Sequence, residues 1–136
     1  MSFFYKLAII LLASILQSQI AFAKWEEERD LTTNGKEELV YYYKTNDQGQ
    51  KLVLDKYKKR LIFIRKDRLV KRRIYHMRID GVSVDVMSDP FSHYPEQTAI
   101  TFDHQDEILK KLFLAKEIQL DVRYGRDQAV STFQIR

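Results

Sequence analysis

Ser88, Asp89 and His93 fall within six positions of one another in the stretch SDPFSHYP. Those residue types build a nucleophile, its base and the acid that orients the base. A working triad needs three side chains that converge in space, usually from distant parts of a chain, and no G-x-S-x-G elbow surrounds Ser88. Ser, Asp and Pro are also ordinary turn residues. The stretch therefore reads as a loop, and the protein is expected not to be an enzyme. Its aromatic residues offer different chemistry. Phe91 and Tyr94, with His93 between them, suit a recognition loop over residues 88–96, because aromatic rings anchor many protein interfaces.

The other groups that could do chemistry are scattered. His76, His93 and His104 lack the i, i+4 or short paired spacing of a local metal site. Asp103, Asp106 and Glu107 are crowded enough to suggest a hard cation, but they lack the Gly-containing spacing of a calcium loop, and helix capping explains them better. The chain has no Cys. That removes thiol catalysis, disulfide exchange and thiolate metal sites together. No cofactor and no metal are expected.

Charge is the stronger signal. Between residues 56 and 73 there are ten basic residues, Lys56, Lys58, Lys59, Arg60, Arg65, Lys66, Arg68, Lys71, Arg72 and Arg73, against the single acid Asp67. Such asymmetry can raise a surface potential that attracts acidic partners. Read as one basic β-hairpin, the nine from Lys58 to Arg73 form a binding surface for an acidic envelope protein or an anionic envelope component, with a peripheral membrane contact open to it. Exposed Lys and Arg also keep a sheet edge soluble. Tyr57, Phe63 and Tyr75 interleave with the charges as on a single-strand-binding surface. The start of the chain argues against nucleic acid as the partner.

That start, residues 1–23, reads as an export signal. Lys6 supplies a positive n-region, Leu7 to Leu16 an apolar core, and Ala21-Phe22-Ala23 a cleavage motif before Lys24. The apolar run is well short of the roughly 20 residues that span a bilayer. Cleavage leaves residues 24–136 as one exported β-rich domain, periplasmic or secreted. It removes one basic residue and no acidic one, so the formal charge falls from +4 to +3. Without disulfides the domain must rest on an ordinary hydrophobic core.

The elements follow from periodicity. The polar, acidic stretch 24–36 leads into the domain, with Trp25 expected to be buried. The segments 38–45 and 51–55 flank Asn46-Asp47-Gln48-Gly49 and read as a hairpin. Leu61 to Ile64 is a short apolar strand, and residues 70–79 alternate as another. Asp80-Gly81 then sits directly before Val82, and Asp-Gly is a preferred pair for a type I′ hairpin turn. Residues 103–116, DHQDEILKKLFLAK, break the strand pattern. Asp103 is placed to cap a helix, acids lie in its first turn and lysines toward its end, and Ile108, Leu112 and Phe113 gather on one face. Alternation resumes over 118–123 and 129–135. The fold class expected is mainly β, an antiparallel β-sandwich or partly closed barrel of about seven or eight strands with one late amphipathic α-helix.

Trp25 at the mature start, the Leu61 to Ile64 strand, the Arg78-Ile79-Asp80-Gly81 hairpin, the helix carrying Glu107, Ile108, Leu112 and Ala115 after Phe102, and the closing Ser131-Thr132-Phe133 strand form a recognisable order. It resembles that of the invasion-associated locus B family and of the periplasmic accessory proteins associated with type VI secretion. The resemblance implies a non-catalytic envelope protein that works through contacts. Two functions fit: a periplasmic accessory or adaptor protein using the basic hairpin, or an immunity or inhibitor protein that blocks an exported enzyme with the 88–96 loop.

Overall fold

Alternation of large apolar and polar side chains sets the strands. In β3 (Lys51–Asp55) and β4 (Arg60–Ile64), Leu52, Leu54, Leu61 and Phe63 share one face and are fully buried, whereas Val53 and Ile62 look the other way. Register puts Leu52 opposite Phe63 and Leu54 opposite Leu61. The turn between β2 (Glu38–Thr45) and β3 is built on Asn46, whose Oδ1 accepts the backbone N–H of Gln48 at 3.1 Å and of Gln50 at 2.9 Å. This is the side-chain mimicry of a backbone turn for which Asn is suited.

The computed structural model describes residues 25–31, 38–66, 73–124 and 126–136. The export signal read in residues 1–23, and Arg68, Val70, Lys71 and Arg72, lie outside them. Together with β1 (Glu26–Leu31), β7 (Met87–Pro90) and β8 (Gln97–Thr101), the strands β2, β3 and β4 form a six-stranded sheet in the order β1-β2-β3-β4-β8-β7. A second sheet contains β5 (Arg73–Ile79), β6 (Val82–Val84), β9 (Glu117–Tyr124) and β10 (Asp127–Gln134) in the order β10-β9-β5-β6. All pairings are antiparallel, and the sheets do not close into a barrel. The mainly β sandwich with one helix agrees with the sequence. The strand count is ten among the described residues, because the acidic lead-in is itself β1 and the run after Gly81 divides into β6 and β7.

That division joins the sheets. Val84 of β6 pairs with Met77 of β5, the chain passes Asp85 and Val86, and Met87 then pairs with Thr101 of β8. Near the crossing, the Ile74 N–H of β5 donates to Ser88 Oγ at 3.1 Å. A bent strand that changes sheets is a recognised way to turn the corner of a sandwich. Ile74, Met77 and Ile79 of β5, Ile118, Leu120 and Val122 of β9, and Phe133 face the first sheet across the core. Phe63 and Phe133 meet edge to face with ring centroids 6.3 Å apart.

The helix α1 (Gln105–Leu114) spans from the β3–β4 turn to the β5–β6 hairpin and buries Ile108 and Leu112. Two expectations about it are corrected. Asp103 does not cap it: the N-cap is His104, in the left-handed region at φ 53°, with no side-chain cap bond. Asp103 stands one residue before the position from which a side chain reaches the first free N–H groups. Phe113 is not core but 38% exposed, because it lies one residue, about 100°, around the helix from the Ile108–Leu112 stripe. It packs edge-on against Tyr42 at 5.3 Å.

Trp25 is buried as expected, and its Nε1 donates to the Leu112 carbonyl at 3.2 Å. The single indole thereby ties the start of β1 to the last turn of α1. At Asp80-Gly81 both residues take positive φ, 50° and 80°, between the paired Ile79 and Val82. This is the primed turn that the dipeptide favours. Asp80 Oδ1 also accepts the N–H groups of Lys116 and Glu117, each at 2.9 Å, and so fastens the hairpin to the start of β9.

Candidate binding surfaces

The basic run does not form one hairpin. β4 pairs with β3 and β8 in the first sheet, whereas β5 begins at Arg73 and pairs with β6 and β9 in the second. Its charges are dispersed accordingly. Lys58 and Lys59 lie in the β3–β4 turn, which Asp55 organises by accepting the N–H groups of Tyr57 and Lys58 at 3.0 and 3.1 Å. Lys59 takes φ 53°, and its Nζ is 2.9 Å from Asp106 of α1. Arg60 has its Nε 3.6 Å from Asp55 Oδ2 and its guanidinium 5.3 Å from the centre of the Phe91 ring. Arg65 is 6% exposed and donates from Nη2 to the Pro95 carbonyl at 3.2 Å. It is an internal support, unlike the surface residue read from sequence. Lys66 is exposed and lies over Gly49, where an added Cβ would stand 3.0 Å from Lys66 Cε. Arg73 is exposed at the first position of β5.

The loop after β7 is tightly held. The Phe91 N–H donates to the Gln97 carbonyl at 3.0 Å, the Gln97 N–H to Tyr94 at 2.9 Å, and the Arg65 N–H to Glu96 at 2.9 Å. Phe91 is half-buried by Arg60, while His93 is exposed and Tyr94 is 58% exposed. Ser88 and Asp89, as successive residues of a strand, point to opposite faces. Ser88 Oγ is the acceptor for Ile74 described above, and Asp89 is exposed. These two side chains therefore do not converge as a triad requires.

Strand pairing creates a surface that no local stretch announced. Arg73 of β5 stands directly opposite Arg123 of β9, two residues fifty positions apart in the chain. The ladder slips between Ile74 and His76, and at this irregularity Tyr75 turns outward, 41% exposed, with the Arg123 guanidinium 4.8 Å from its ring centre. Further along the same face, Asp121 receives two side chains. Its Oδ2 is 2.7 Å from His76 Nδ1, and its Oδ1 accepts from Arg78 Nη2 at 2.9 Å. Arg78 and His76 are thus held by one carboxylate. Arg73 and Arg123 have no ion-pair partner among the described residues. Directly opposed like charges weaken a sheet, by about 0.2–1 kcal/mol. The face therefore combines two uncompensated guanidinium groups, an exposed aromatic ring and a prepositioned His–Asp–Arg network. Planar guanidinium forks suit carboxylate or phosphate groups, which they can grip through two bonds.

Among the described residues no group of three or more His, Asp and Glu side chains is placed to hold a metal ion, and no helix is long and apolar enough to cross a membrane. Comparison with family models, with characterised proteins and with solved structures finds no match to this chain.

Proposed function

We propose that this chain is a non-catalytic accessory or adaptor protein of the cell envelope, exported by its N-terminal signal, that binds an acidic partner through the face carrying Arg73, Tyr75, Arg78 and Arg123. The observation that carries the reading is the Arg73–Arg123 cross-strand pair. A partner carboxylate or phosphate placed between them would relieve their repulsion and gain charge-assisted hydrogen bonds. The adaptor role is thus kept from the sequence, but its surface moves from residues 56–73 to the outer face of β5 and β9.

The test is a crosslinking pull-down from envelope extract with the purified protein, run beside Arg73→Ser/Arg123→Ser and Lys58→Ser/Lys59→Ser variants. A single species captured by the native protein and by the lysine variant, and lost from the arginine variant, supports this surface. Loss from the lysine variant alone would return the interface to the β3–β4 turn.

One observation favours the inhibitor reading. Arg65 and Gln97 hold the 91–97 loop in place with Tyr94 presented at its surface, as a plug for an enzyme cleft would require. Replacing Tyr94 and His93 by Ser should then abolish partner capture with both arginines still present.

A further inference from the structure

A second surface lies away from the arginine pair. Between α1 and the β5–β6 hairpin runs an apolar groove of about 610 Å³, walled by Ile79, Val82, Val84, Ile108 and Leu114. Asp80, Glu107, Lys110 and Lys111 stand at its rim. Val82 and Leu114 are both exposed there. β6 is the outer strand of its sheet, so one wall of the groove is a sheet edge. In a two-residue hairpin the pair flanking the turn, here Ile79 and Val82, exchanges hydrogen bonds, and the next pair, Arg78 and Ser83, does not. The peptide N–H and C=O of Ser83 therefore face away from β5, toward the open side. Val82 and Val84, on either side of it, belong to the face that lines the groove.

Edge strands are normally blunted by brevity, charge or proline. β1 carries Glu26, Glu27, Glu28 and Arg29, and β7 ends in Asp89-Pro90. The sequence of β6 is Val-Ser-Val, which has neither charge nor proline and is limited only by its three-residue length, so that the peptide groups it offers are those of Ser83. The geometry points to a peptide-docking site: an extended segment of a partner protein adds to β6 as a further strand, bonds to the Ser83 peptide groups, and sets alternate apolar side chains into the groove. Main-chain bonds supply affinity in this mode, and the pockets for alternate side chains supply selectivity. Of the charges at the rim, Glu107 is paired with Lys111 at 3.3 Å and Asp80 accepts the N–H groups of Lys116 and Glu117, whereas Lys110 has no ion-pair partner among the described residues and would meet an acidic residue flanking the apolar positions. An acyl chain would use the apolar walls but not the Ser83 peptide groups.

The experiment measures fluorescence anisotropy of labelled six-residue peptides that alternate Thr with Val, Leu or Phe and end in Glu, titrated with the purified protein. At least one peptide binds saturably, and Ser83→Pro weakens it tenfold or more while Ser83→Ala does not. Proline fits here because the N–H it removes is outside the β5 ladder. Val82→Lys, and a peptide N-methylated at its central residue, weaken binding equally. Failure of every peptide to bind, or binding untouched by Ser83→Pro and by N-methylation, overturns the proposal. So does saturable uptake of 11-(dansylamino)undecanoic acid without peptide binding, which assigns the groove to an acyl chain. A concentration-dependent dimer in sedimentation that Ser83→Pro abolishes assigns the edge to a second copy and likewise overturns it.

Discussion

Arg65 and Arg73 belong to the same basic run, yet their environments ask opposite things of them. Arg65 is buried and donates to the Pro95 carbonyl, so Arg65→Ala strands an acceptor and removes the packing of a long stem. We expect it to lose about 2–3 kcal/mol by urea denaturation. Arg73→Ser relieves repulsion from Arg123 and should leave stability within about 0.5 kcal/mol of native, or raise it slightly. A reversed ranking would mean that Arg73 has a structural partner. Asp80 provides a second contrast. Asp80→Ala removes the acceptor for both Lys116 and Glu117 and places a less tolerant residue at φ 50°. Asp80→Asn keeps an oxygen at that position and suits the left-handed conformation. The alanine change should cost about 1–3 kcal/mol and the asparagine change less than half of that, read from the same denaturation curves.

At the scale of the element, α1 shows which sequence signals are sufficient. Its core stripe was legible because Ile108 and Leu112 are one turn apart, and the Asp80-Gly81 hairpin because that dipeptide satisfies positive φ at both positions. Its cap was not, since it depends on the angle at which the chain leaves β8 and lays the helix down, and Phe113, about 100° around from the stripe, lies at a margin whose burial the same angle decides. That angle is fixed by tertiary contacts, including the Trp25 bond to Leu112 and the Lys59 bond to Asp106. The fully buried Leu112 and the partly exposed Phe113 should therefore respond differently. An Asp at position 112 puts an unpaired carboxylate in the core, which costs about 3–5 kcal/mol against the roughly 5–15 that hold a typical domain. Leu112→Asp is expected to unfold the domain or bring it close to unfolding, and Phe113→Ser to leave a cooperative transition. Trp25 is the natural reporter of this joint, because its buried indole is the chain's single Trp. Its emission should move to longer wavelength as the helix detaches. A normally melting Leu112→Asp protein with unshifted emission would refute the packing of α1.

The scale of the whole molecule decides where charge can act. Composition along the chain concentrates positive charge in residues 56–73, but the passage from β4 in one sheet to β5 in the other separates its two ends. No local property of the run encodes that separation, and no local property of Arg123 encodes its meeting with Arg73 through the β5–β9 ladder. Once folded, several cations are already engaged: Lys59 with Asp106, Arg60 with Asp55, Lys51 with Glu28, and Arg78 with Asp121. Exposed charges separated by more than about 10 Å are largely screened at 0.1 M salt. An approaching acidic partner therefore responds chiefly to the uncompensated charges on the face it meets, and much less to the net charge of the domain. Such charges steer encounter, so their removal slows association, and the loss of the hydrogen bonds they make to the bound anion speeds dissociation as well. With the captured partner immobilised, the association rate of the native protein should fall steeply from 50 to 500 mM salt. Arg73→Ser/Arg123→Ser should associate at least tenfold more slowly at the low-salt end and show a flatter salt dependence, whereas Lys58→Ser/Lys59→Ser should follow the native curve. If both variants keep the native slope, the acidic partner is recognised elsewhere on the molecule, and the arginine pair is no more than a tolerated mismatch in the sheet.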